Sequence, residues 1–95
     1  MTSRASALHD IEAYADQGGF VEELSSLVSI PTESQEASRR DELLRYLNEA
    51  AIRMLNDIGF TCRLLENPAA PQLPFLYAER IENPEFETIL IYGHG

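Results

Sequence analysis

The 95-residue chain contains no lysine, one cysteine and two histidines, and it is short of positive charge altogether: seven arginines stand against sixteen acids, for a net charge of −9. Each shortage removes a class of function. An acidic surface repels phosphate backbones and anionic headgroups, so no nucleic acid and no membrane is expected as an electrostatic partner. The single cysteine, Cys62, cannot close an internal disulfide, and neither a CxxC pair nor a Cys/His zinc knuckle is available to it, which fits a reducing cytosol. Long apolar runs are missing too. The N-terminal MTSRASALHDIEAYADQ interleaves charges with apolar residues, unlike a secretory signal or a membrane span. A soluble, cytoplasmic protein is the expectation.

What is present points to one domain or a piece of one. With 44% apolar residues, a chain of this length would bury somewhat over ~60% of its unfolded surface, too little for two separate cores. The apolar spacing predicts a first helix over about 6–17, with Leu8, Ile11 and Ala15 on one face and Gly18-Gly19 ending it. Phe20, Val21, Leu24, Leu27 and Val28 predict a second over about 20–29, closed by Pro31. The third and clearest runs over about 38–58. Leu43, Leu44, Leu47, Ala50, Ala51, Met54, Leu55 and Ile58 keep three-to-four spacing, Ser38 is placed to cap it, and Gly59 stands where a C-terminal glycine belongs.

Strand periods follow. Phe60, Cys62 and Leu64 alternate with Thr61 and Arg63 in a strand over about 60–65, and PFLYAERI gives a second over about 75–81 after the proline-rich ENPAAPQLP. The last, over about 88–93, is different: TILIY has no polar alternation, as a strand covered on both faces requires. The ninety-five residues do not hold the helices and strands that such covering needs. The fold class expected is therefore α/β, the N-terminal part of a helix-sheet-helix sandwich, truncated, with TILIY left partly exposed in the chain by itself. A complete small α+β domain with TILIY at its edge ranks second, since a flat apolar edge invites aggregation.

The chemistry concentrates at the end of that last strand, in Gly93-His94-Gly95. Ligands of open α/β sheets bind at the carboxyl ends of strands. Glycine on either side lets a metal or substrate approach the imidazole, and histidine serves as metal ligand and general base alike. A histidine bonded to a backbone carbonyl is the plain alternative. His9 reads as a solvated surface residue and Cys62 as a small core hydrophobe. The neighbouring acids Glu22-Glu23 and Asp41-Glu42 sit in first helical turns and point apart, and Thr32 and Ser34 have no histidine near in sequence. No catalytic residue and no cofactor-binding residue is assigned within the chain.

The ordered set of SLVSIPTESQ after a helix, a long amphipathic helix ending in IGF, a strand, a proline-containing link into PFLYAER, and then ETILIYGHG resembles the N-terminal part of the co-catalytic zinc metallopeptidase family of aminoacylase, acetylornithine deacetylase, succinyl-diaminopimelate desuccinylase and carnosine dipeptidase. The resemblance covers nearly the whole chain, and its most specific element is GHG, the first three positions of the family's strand-end Gly-His-x-Asp motif. It implies a mixed, mostly parallel sheet of the zinc exopeptidase type and makes His94 a metal ligand. The site would take two zinc ions, with cobalt or manganese as substitutes. The remaining ligands, a bridging aspartate and a general-base glutamate would lie further along. The implied activity is hydrolysis of amide or peptide bonds in N-acyl amino acids or small peptides by a longer parent, expected as a homodimer, while the 95 residues alone would be inactive. A small acidic non-enzymatic interaction domain with a structural His94 is the alternative.

Overall fold

The structure of the chain, a computed structural model, describes residues 3–95. They divide into two compact units, one ending at Ile30 and the other beginning at Pro31. In the first, α1 (Arg4–Asp16) starts where Ser3 caps it, the serine hydroxyl accepting from the Ser6 amide at 3.1 Å. That cap moves the start ahead of the expected residue 6, because an N-cap precedes the first apolar residue by whatever polar turn lies between them. Gly18, at φ +84°, makes the left-handed turn into α2 (Gly19–Val28). At Gly19 a Cβ would stand 2.6 Å from Tyr14 Cδ2, so the glycine lets the tyrosine ring cross the start of α2. The Tyr14 hydroxyl donates to the Glu23 carboxylate and ties the two helices together. Leu8 and Ile11 of α1 and Phe20, Val21, Leu24 and Val28 of α2 stay exposed.

The second unit opens with a loop and a 3-10 turn, Ala37–Arg39. A helical rod follows in three consecutive pieces: α3 (Arg40–Arg45), a π-helical segment (Tyr46–Ala51) and α4 (Ile52–Asp57). Ser38, expected to cap this helix, lies inside the 3-10 turn, and Arg39 precedes α3 with no side-chain cap bond. The tighter turn has taken up the residues that a cap would have used. The wider π turn also rotates the apolar stripe. Leu43, Tyr46, Leu47, Ala50, Ala51, Ile52 and Leu55 are half-buried, whereas Leu44, Met54 and Ile58 of the expected stripe are exposed. The rod ends in a Schellman motif: Gly59 takes φ +90°, the Phe60 amide donates to Leu55 O at 2.9 Å, and the Gly59 amide to Asn56 O at 3.0 Å.

Strands β1 (Thr61–Leu65) and β2 (Phe75–Glu79) pair antiparallel, with Thr61 opposite Glu79 and Leu65 opposite Phe75. α4 packs against β1, and Cys62, Leu76 and Ala78 form the half-buried face, while Thr61, Arg63, Tyr77 and Glu79 alternate outward. Two Asn-Pro sequences make matching turns. In the hairpin loop Asn67 Oδ1 accepts from the Ala69 amide at 3.1 Å, and after β2 Asn83 Oδ1 accepts from the Glu85 amide at 2.9 Å.

The class is thus mixed α and β, and the sheet among the described residues is an antiparallel pair. The strand expected over 88–93 is not formed: residues 88–95 lie outside regular structure, and Ile89, Leu90, Ile91 and Tyr92 are 82–94% exposed. Nothing among the described residues pairs with their amides or covers either face, and β-propensity alone does not hold a strand. No helix among the described residues is long and apolar enough to cross a membrane.

Candidate functional site

In an extended segment residues two apart project to the same side. Tyr92 and His94 obey this spacing, and the phenolic oxygen lies 3.1 Å from His94 Nδ1. The contact decides what the imidazole can do. When Nδ1 carries the proton and donates to the phenolic oxygen, Nε2 has a free lone pair and can bind a metal; when the hydroxyl donates to Nδ1, neutral imidazole keeps its proton on Nε2 and cannot. Tyr92 is therefore the neighbour on which the tautomer of His94 depends.

The flanking glycines differ. Around Gly93 a Cβ would meet nothing within 4 Å, so His94 is reached from open solvent on that side. At Gly95 a Cβ would stand 2.5 Å from Tyr46 Cε1 and 2.6 Å from its hydroxyl. The second glycine is thus a packing requirement of the π-helical segment as well as an absence of bulk. This role was not legible, because no spacing links Tyr46 to Gly95. The Tyr92-x-His94 pair could have been found from the period of two.

The other candidates belong to other elements. His9 is exposed on α1, and Cys62 is half-buried on β1. Among the described residues no group of three or more His, Cys, Asp or Glu side chains is placed to hold a metal ion. Several acids are engaged elsewhere. Glu42 and Glu49 flank Arg45 at 3.0 and 3.2 Å and raise its pKa further. Glu23 accepts from Tyr14 and pushes that phenol up to about 12, chiefly through the hydrogen bond. On the outward face of the hairpin, Tyr77 donates to Glu79 at 2.9 Å, which raises its pKa, and Arg63 stacks 5.1 Å from the Tyr77 ring centre. Together with Thr61 and Cys62 these residues line a shallow depression.

No family model, no curated protein and no solved structure matches the chain.

Proposed function

We propose that the chain is the N-terminal portion of a zinc-dependent hydrolase that cleaves amide or peptide bonds of N-acyl amino acids or small peptides, and that it is inactive by itself. The observation that carries this is Gly93-His94-Gly95 directly after the apolar Thr88–Tyr92, preceded by SIPTESQ and the long amphipathic helix in the order that the resemblance requires. In this reading the antiparallel hairpin is the start of a mixed, mostly parallel sheet, and TILIY becomes a strand of it once neighbours are supplied. His94 holds one of two zinc ions through Nε2, with cobalt or manganese able to substitute, and the Tyr92 hydroxyl accepts from Nδ1–H in the tautomer that does so. Zinc at such a site polarises the scissile carbonyl and acidifies a water. A catalytic zinc needs about three protein ligands, and the chain offers one, so it does not turn over substrate alone.

Two measurements test the proposal. The coding sequence beyond Gly95 should supply an aspartate first, then a second aspartate and a Glu-Glu pair. In the protein so encoded, His94→Ala should lower metal content and abolish most hydrolysis with the far-ultraviolet circular dichroism preserved; His9→Ala should change neither. Equal metal content in the His94 variant and its parent would refute the ligand assignment. One observation favours a second reading, a small acidic interaction domain: the 82–94% exposure of Ile89 to Tyr92 is what a segment that binds by strand addition presents.

A further inference from the structure

Residues 88–92 and the hairpin have complementary deficits. The segment is uncharged, β-branched or aromatic at most positions, and exposed in backbone and side chains. The hairpin has two strands where about three are needed for independent stability, and the outer edge of β2 has no strand beside it among the described residues. Within one copy the segment is left unpaired. Among the described residues β2 pairs with β1 and not with residues 88–92, the connection between them holds a turn of its own closed by Phe86 N–H to Asn83 O at 3.0 Å, and Gly95 lies on the Tyr46 ring.

We infer that the partner of residues 88–92 is a second copy of this chain: the segment of each copy adds antiparallel to the β2 edge of the other, giving a closed dimer by strand exchange. One register satisfies both charge and face. Setting Glu87 opposite Arg80 places Ile89 against Ala78 and Ile91 against Leu76, which extends the half-buried face. Leu90 then meets Tyr77, and Tyr92 meets Phe75, two side chains that are 39% and 57% exposed. Four apolar side chains from each copy remove on the order of 500–1,000 Å² from the two segments and a like area from the receiving edges, which reaches the roughly 1,200–2,000 Å² of a stable interface. Reciprocal exchange closes the contact on itself, which a one-way addition would not. The inference does not rest on the hydrolase proposal, because association of the 95-residue chain is measured without metal or substrate.

Sedimentation equilibrium of the 95-residue chain over a concentration series should give a monomer–dimer equilibrium, with Leu90→Lys monomeric throughout. Glu87→Arg should raise the dissociation constant about threefold or more, and adding Arg80→Glu should restore it, which reads the register rather than the fold. In a Cys62→Ser background, mixing Ala78→Cys with Ile89→Cys chains should form the mixed disulfide between copies on oxidation. A chain monomeric at every concentration overturns the inference. So do open polymers in place of a dimer, or an intrachain disulfide in the Ala78→Cys/Ile89→Cys double variant.

Discussion

Tyr14 carries more structural weight than any spacing in α1 suggests: its ring crosses Gly19 and its hydroxyl reaches Glu23, nine residues on. The phenol's pKa lies above its usual 10.0, at about 12, because ionisation would break that bond and set two negative charges together. The stabilisation from the bond is therefore complete below pH 10 and disappears as the pH rises through about 12. Glu23→Gln should bring the Tyr14 tyrosinate absorbance in at lower pH. The difference in helix stability between the parent and Tyr14→Phe should stay constant below pH 10 and vanish above 12; a difference independent of pH across that window would remove Glu23 as the cause. At His94 the corresponding control is tautomer choice, since the Tyr92 hydroxyl can accept from Nδ1 or donate to it.

At the scale of elements, what was legible followed from period and punctuation. α1, α2 and the rod appear where apolar residues recur every three to four, and Gly18 and Gly59 take the left-handed angles that end helices. β1 and β2 appear where the period is two, one or two residues shorter than expected at their ends. The π-helical segment was not legible, because Tyr46–Ala51 contains no breaker and keeps the same apolar spacing as the α-helical pieces beside it. TILIY has the strongest β-propensity and forms no strand, since a strand is a property of a pair. His94 was legible from its glycines, whereas the contact of Gly95 with Tyr46 depends on tertiary packing alone. Gly59→Ala should cost about 1 kcal/mol or more, because an alanine Cβ is disfavoured at φ +90°. The midpoint of urea unfolding checks this, and a neutral substitution would mean that the Schellman bonds to Leu55 and Asn56 do not hold the rod's end.

For the whole molecule the shortage is core. Ile30 is the one buried hydrophobic residue among those described. Apolar surface left in water contributes nothing to stability, so the folded chain gains from any partner that covers it. Thermal unfolding followed by circular dichroism should be broad at low concentration, and its midpoint should rise with protein concentration. A sharp transition at a fixed temperature over the same series would show that the chain is stable without partners. The Asn-Pro turns bear on the same material in another way. Asparagine sheds ammonia when the next residue's backbone nitrogen attacks the side-chain amide, and Pro68 and Pro84 have no N–H with which to do so. Asn67 and Asn83, whose Oδ1 atoms hold the two turns, are protected from this form of chemical ageing. Any slow acidification of stored protein by that route must come from Asn48 or Asn56 in the rod, leaving the two turn asparagines as they are.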